Sequence, residues 1–385
     1  MQPYPARAVI DLDAIAANVA TLDAGTSAEV MAVVKADAYG HGLVPAARAA
    51  RRGGASWLGT AQVTEALALR AAGDTGRVLT WLYAPGAPLR EAVEADVDVA
   101  VAAPWNVAAL VEAARAAGRT ARVHLKVDTG LGRNGVTPAQ LPEVLDAAMR
   151  ARAEGALDVV GVFSHFAFAD APQHPTVLAQ AEEFARAVEA VERAGARLEV
   201  RHLANSAATV TNPSVHYDLV RPGIAVYGLS PVPDLSTSAE LGLVPAMTFE
   251  AELASVKPLP AGHGVSYAHQ YVTPTETLTG LVPVGYADGV PRHCSGTDGR
   301  PGAPVRIGAR DLAIAGRVCM DQFVIDLGPG AREVAGDRVE LFGNGADGGP
   351  TAQDWADAAG TISYEIVTRL GARIPRVYVG EGSRS

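Results

Sequence analysis

The sequence is short of cysteine, of positive charge and of long apolar runs, and each shortage closes a class of explanation. Its only cysteines, Cys294 and Cys319, lie far apart with no CxxC spacing. That leaves no disulfide framework, gives no sign of a metal site, and suits a reduced, cytoplasmic protein. Lysine and arginine total 32 against 42 aspartates and glutamates, for a net charge of −10 and a pI near 5.4. Such a balance argues against a nucleic-acid or anionic-membrane surface, while leaving room for a local basic pocket. No run of about 18 apolar residues occurs, so no membrane span is expected. The opening "MQPYPARAVIDLDAIAANV" has no apolar core followed by a cleavage site, so no secretory signal is expected either. What is present is 385 residues, 49% hydrophobic, with 40 glycines and no low-complexity tract. That is enough for one large or two medium globular domains of an α/β enzyme-like class.

The first 240 residues alternate short apolar runs with amphipathic ones. Strands are expected at 30–35, 57–61, 78–83, 98–103, 122–127, 158–163, 199–203 and 218–221. Helical patterns lie between them. In 176–194, Val177, Leu178, Ala181, Phe184, Val188 and Val191 keep helical spacing, and Gly195 is placed to end the helix. Eight strands alternating with helices can close into a (β/α)8 barrel of the TIM type, with a doubly wound open sheet as the alternative. After residue 240 the chain is richer in Pro, Gly, Val and Thr, with strand-like pieces such as "MTFEAELASV", "TLTGLVPVGY", "RVCMDQFVID" and "DRVELFG". One helical segment near 351–370 interrupts them. A barrel over 1–240 and a mainly β domain over 241–385 are therefore expected, joined at "SPVPDLSTSAE".

In such a barrel the C-terminal strand ends face the active site. The expected register puts a polar set there. Lys35 ends the first strand, Lys126, Asp128 and Arg133 follow the fifth, and Ser164 and His165 end the sixth. Asn205 and Ser206 follow the seventh, and Arg221 ends the eighth. Singly, His165 reads as a satisfied core histidine and Arg221 as an ion-pair partner; convergence at one rim favours function. "ANSAAT" and "RPGIAVYG" offer backbone N–H groups, at Gly223 and Ile224 in the second, where an anion could sit. A strand-end lysine beside a phosphate cradle is the layout of a pyridoxal 5'-phosphate (PLP) site, the amine bonding the aldehyde.

The runs "AVVKADAYGHG", "HLKVDTGLGRNG", "FSHFAFAD", "ANSAA", "RPGIAVYG", "GVSYAHQY", "PVGYADG", "RVCMDQ" and "SYEI…RLGARIPR" resemble, in order, the motifs of the bacterial alanine racemases. The resemblance implies PLP-dependent interconversion of L- and D-alanine, supplying D-alanine for peptidoglycan. It implies that Lys35 both carries the cofactor and serves as the base for the D enantiomer. Tyr267 is implied as the opposite base, given by the second subunit of a homodimer with shared active sites. Tyr39, Ser206, Gly223, Ile224 and Tyr364 match phosphate-holding positions, and Asn205 lies beside them in the same motif. His165 and Arg221 match a hydrogen-bonded chain ending at the cofactor's ring nitrogen. Arg133 and, from the second subunit, Met320 match positions at the substrate carboxylate. Lys126 matches a lysine that is carbamylated in many family members; a plain pair with Asp128 is the alternative. "GVSYAHQY" has Ala268 where the family often has glycine, and "KADAY" has Asp37 where asparagine is common, departures that touch loop shape rather than a catalytic role. Tyr286 and Tyr364 are expected to narrow the entrance and favour a small side chain.

Three other functions compete. A non-catalytic PLP carrier needs no second domain with a second base. A PLP decarboxylase calls for a carboxylate at the ring nitrogen, where this chain has Arg221. A racemase of broad specificity, for serine or larger amino acids, differs only in pocket size.

Overall fold

The computed structural model describes residues 4–381. The chain does not enter the barrel first. Strand β1 (Ala6–Asp11) lies in the sheet of the C-terminal half, antiparallel to β10 (Met247–Glu252) and parallel to Arg376–Val379. A boundary drawn at residue 240 therefore splits the sequence but not the sheet. Asp11 then accepts the N–H groups of Asp13 and Ala14, capping the helix Leu12–Ala24 that leads to the barrel.

The barrel strands are β2 (Glu29–Val33), β3 (Trp57–Gln62), β4 (Arg77–Leu82), β5 (Asp98–Val101), β6 (Ala121–Lys126), β7 (Leu157–Phe163), β8 (Val200–His202) and β9 (Leu219–Val220). All seven neighbouring pairs from β9–β2 round to β7–β8 are parallel. All eight expected strands are present, and the open sheet is excluded. The last seam, between β8 and β9, is thin. It is made by an isolated bridge from Asn205 to Arg221, a backbone bond from Arg221 N–H to Ala204 O, and Asp218 accepting the N–H of Arg201. Two residues of the seam are thus residues of the expected site.

Apolar strand residues, among them Val30, Leu58, Val99 and Val123, are fully buried, because helices cover the outside of a parallel barrel. The helix Pro175–Arg193 buries Val177, Phe184, Val188 and Val191 as their spacing requires. Leu178, expected in the same stripe, is 66% exposed and points outward. Gln180 takes a buried place and bonds the N–H of Ala167 and the carbonyl of His165, which steadies the loop after β7.

The C-terminal half is a nine-stranded sheet that includes β1 and β10. "RVCMDQFVID" gives a strand only at Phe323–Gly328, so Met320 stands on the loop before it. Two helices, Ala352–Ala359 and Ser363–Thr368, replace the single one expected. Trp355 lies edge-on to Phe342, which meets Phe249 of β10, joining these helices to the sheet's core.

Candidate active site

Strand β2 ends at Val33, two residues before Lys35, and the lysine opens a turn of unusual hand. Ala36, Asp37, Ala38 and Tyr39 all have φ of 54°, in the left-handed helical region. Each non-glycine residue there carries a penalty of roughly 1–2 kcal/mol. The surroundings hold the turn in place. Glu65 accepts the N–H of Ala36 at 2.6 Å, Asp37 accepts that of Leu43 at 2.7 Å, and His41 Nδ1 lies 3.0 Å from the carbonyls of Ala38 and Tyr39. Tyr39 packs against Tyr227 at 5.0 Å between centroids, with Tyr364 at 6.2 Å on the other side. A right-handed continuation would carry the tyrosine elsewhere; this turn stands it beside the lysine, whose Nζ is 6.0 Å from its ring.

Lys35 and Tyr39 open into a cavity of about 410 Å³ at the C-terminal mouth of the barrel. Lys126, Arg133, His165, Asn205, Ser206, Arg221, Gly223 and Tyr364 line it as well. Four of these residues are cationic side chains, and no aspartate or glutamate joins them. The crowding shows in their proton affinities. Burial lowers the pKa of Lys35, and Arg133 lowers it further. Burial, then Arg133, Arg221 and Lys35, bring Lys126 down to about 8. Burial and the neighbouring Arg221 hold His165 neutral, far below its usual pKa. Burial weakens the charged form of Arg221 too, yet a guanidinium keeps its proton at any physiological pH. Asp128 does not pair with Lys126; its carboxylate accepts the N–H groups of Gly130 and Gly132.

At one end of the cavity the polar groups are hydrogen-bond donors. The Gly223 N–H donates to Ser206 Oγ at 2.7 Å, leaving that hydroxyl its own proton to give. The Tyr39 hydroxyl is so close to Gly223 that a Cβ there would lie 2.2 Å from it. Ile224 opens a tight turn whose first N–H groups lack partners within it. Asn205 caps the six-residue helix that Ser206 begins, its Oδ1 accepting the N–H of Ala208. At the other end, Arg221 NH2 donates to Ser164 O at 2.7 Å and Leu203 O at 3.2 Å, and lies 3.4 Å from His165 Nδ1.

Comparison with known proteins shows the family of the chain. The N-terminal domain of alanine racemase matches residues 10–231, and the C-terminal domain of alanine racemase matches residues 246–378. An alanine racemase of Beutenbergia cavernae is 62% identical over 378 residues, covering 98% of each chain. A crystal structure of alanine racemase from the D-cycloserine producer Streptomyces lavendulae is 55% identical, with a TM-score of 0.96 over 99% of this chain and 98% of that one. The structure of the Bacillus anthracis alanine racemase with bound L-Ala-P is 33% identical, with a TM-score of 0.85 over 99% and 97%. The chain belongs to the alanine racemase family.

Two residues that the family resemblance implies do not line the cavity of their own chain. Tyr267 is 70% exposed and Met320 54% exposed, both on the C-terminal half. They stand on adjoining loops: Ser266 Oγ donates to Arg317 O and lies 3.3 Å from Cys319 Sγ. Tyr286, 42% exposed, follows at once, its N–H donating to Cys319 O. Ser266, Ala268 and His269 have positive φ, so Tyr267 projects from a strained turn rather than from a strand. Sequence reasoning also passed over several cavity residues: Val33, Ala36, Trp81, Phe163 and Thr368. Trp81 and Phe163 could have been found from the strand ends of β4 and β7, had apolar rim residues been counted with polar ones. Glu65, which holds the N–H of Ala36, was legible only as a helix-capping residue in "QVTE".

Proposed function

We propose that this chain interconverts L- and D-alanine with PLP held at Lys35, and that a second copy of the chain completes each site with Tyr267 and Met320. The observation that carries the reading is the cavity with four cations, no carboxylate and a cradle of donors at one end. Such a site calls for an anionic group at the cradle and a second anion near Arg133, as a phosphate and an amino-acid carboxylate would supply. Lys35, its pKa lowered by burial and its charged neighbours, is fit to attack an aldehyde as the free amine. Bound there, PLP supplies the electron sink that acidifies the α-carbon of an amino acid. Tyr39, Ser206, Tyr364 and the N–H of Ile224 hold its phosphate, with Gly223 keeping the approach open and its N–H steadying Ser206, and Asn205 fixing the helix that presents Ser206. Arg221 donates and never accepts, so a ring nitrogen facing it stays without a proton, and the sink is kept weak enough that the proton returns to the α-carbon. His165 lies between Arg221 and the cavity, neutral and able to link a second-copy Tyr267 to this chain.

Tyr267, so exposed in one chain, is the base for the L face, and Lys35 is the base for the D face. Lys126, whose pKa burial and the neighbouring cations bring to about 8, is open to carbamylation, and the resulting anion would hold Arg133. Tyr364 and Trp81 narrow the cavity to a small side chain, and relatives at 50–62% identity carry the name alanine racemase, so a broad substrate range is not favoured. With both cysteines free, we place the enzyme in the cytoplasm, its D-alanine serving peptidoglycan. No helix among the described residues is long and apolar enough to cross a membrane. Borohydride reduction of the purified protein, followed by peptide mapping, tests the reading. A reduced pyridoxyl group on Lys35 is expected; one on Lys126 or Lys257 would overturn it.

A further inference from the structure

Barrel interiors are normally filled by layers of branched apolar side chains. Here a polar column runs down the axis beneath Arg221. His202 at the end of β8, His124 in the middle of β6 and Asp98 at the start of β5 are all buried. Arg221 NH1 lies 3.4 Å from His202 Nδ1, His202 Nε2 lies 2.9 Å from His124 Nδ1, and His124 Nε2 lies 3.1 Å from Asp98 Oδ2. Asp98 in turn accepts from Arg77 at 2.8 Å and Arg122 at 3.0 Å, and both arginines reach Glu199 at the opposite mouth. The column has been given room. A Cβ on Gly161 would lie 2.2 Å from His124 Nδ1, and the β6–β7 register shifts at Val123/His124 to place that ring over the glycine. Trp57 meets His124 edge-on at 5.5 Å, and Phe163 stacks on His202 at 4.8 Å.

The chemistry of the two ends fixes everything between them. A guanidinium can only donate and a carboxylate can only accept. His202 must therefore accept at Nδ1 and donate from Nε2; His124 must do the same. The opposite tautomers would set N–H against N–H at Arg221 and lone pair against lone pair at Asp98. Both rings are neutral in this arrangement. Arg221 itself touches no carboxylate among the described residues, although it is buried. We propose that Asp98, acting through neutral His124 and His202, is the counter-charge that orients Arg221: a relay of positioning residues spanning the barrel. Keeping the carboxylate two rings away holds the guanidinium without bringing an acid near the ring nitrogen it faces. The inference rests on the reading of Arg221 given above, which it deepens.

The test begins with the holoenzyme labelled with ¹⁵N in its histidines, where long-range ring correlations report the tautomer of each. His124 and His202, assigned by their loss in His124→Phe and His202→Phe, are expected as neutral Nε2–H tautomers near pH 7. A proton on Nδ1 of either, or an imidazolium, would overturn the relay. His124→Phe keeps a ring in place and leaves Asp98 paired with Arg77 and Arg122. In it the His202 Nε2–H, left without its acceptor, should shift to the resonance of an unbonded N–H, and abortive transamination per racemisation event should rise about tenfold, the effect of loosening one hydrogen bond to a charged group. A merely structural role would lower stability while leaving both readouts unmoved, and that result also contradicts the proposal. Should a Phe variant fail to fold, the two rings are assigned in the wild-type holoenzyme by the ¹⁵N–¹⁵N coupling across the hydrogen bond that joins them at 2.9 Å. Failure of the Lys35 reading shows separately, as absent visible absorbance in the same preparation.

Discussion

At the scale of single residues, the site is a collection of cations denied their usual partners. Lys126 shows what that does. An exposed lysine near pKa 10.4 is almost wholly protonated at pH 7, whereas one near 8 is about a tenth free amine. Only the free amine adds carbon dioxide. Acid therefore disfavours the carbamate and alkali favours it. Protein equilibrated with ¹³C-bicarbonate near pH 8 should show a carbamate resonance that fades as pH falls and is missing in Lys126→Ala. A wild-type protein with no such resonance would leave Lys126 a bare, partly neutral amine and Arg133 without its anion.

At the scale of elements, the left-handed turn 36–39 is the least legible part of the sequence. "KADAY" contains no glycine, and nothing in its composition announces four residues at φ 54°. The turn exists because tertiary contacts outweigh local preference, with Glu65 and His41 as its principal supports. His41 is fully buried, its Nε2 has no partner, and burial brings its pKa down to about 4. The unfolded chain binds a proton at about 6.5, so between these values it holds more protons than the folded one. Stability must then rise with pH across that window and drain away as pH falls from about 6.5 toward 4. The full contribution is about 3 kcal/mol. Denaturant unfolding of the wild type and of His41→Phe should differ in slope over this range, the variant losing part of the acid sensitivity. Identical slopes would mean that His41 is not the group being titrated. The barrel strands, by contrast, were plain in the sequence, because parallel strands buried on both faces read as unbroken apolar runs. Their ends were plain as well, since Lys126, His165 and Arg221 are polar residues where packing needs none. Trp81 and Phe163, apolar at the same rim, were hidden by the same logic.

At the scale of the whole molecule, the two halves are tied in ways no local pattern reveals. β1 belongs by sequence to the barrel half and by hydrogen bonding to the other sheet. Arg376 donates to Gly40 O at 3.0 Å and to the carbonyls of Leu370, Gly371 and Ile374, pinning the Lys35 turn to the C-terminal segment. Tyr364 and Thr368 thereby cover the cavity of their own chain, while Tyr267, Tyr286 and Met320 face outward. A shared site makes a specific expectation. Lys35→Ala and Tyr267→Phe should each be inactive, yet mixing them should form heterodimers in which one site has both lesions and the other neither. Activity should return toward a quarter of the wild type as subunits exchange. No recovery, with exchange verified independently, would count against sharing.

The central claim is that Lys35 and Tyr267 work on opposite faces of one α-carbon. L- and D-alanine have equal free energy, so no variant can lose steady-state racemisation in one direction only. Exchange with solvent escapes that constraint, because each base can trade a proton on its own side. The most direct measurement is therefore proton exchange by Tyr267→Phe in heavy water, followed by NMR on each enantiomer. D-alanine should gain deuterium at its α-carbon and keep its configuration, since Lys35 still serves that face, while L-alanine exchanges far more slowly. Equal exchange of the two enantiomers in this variant would contradict the two-base account.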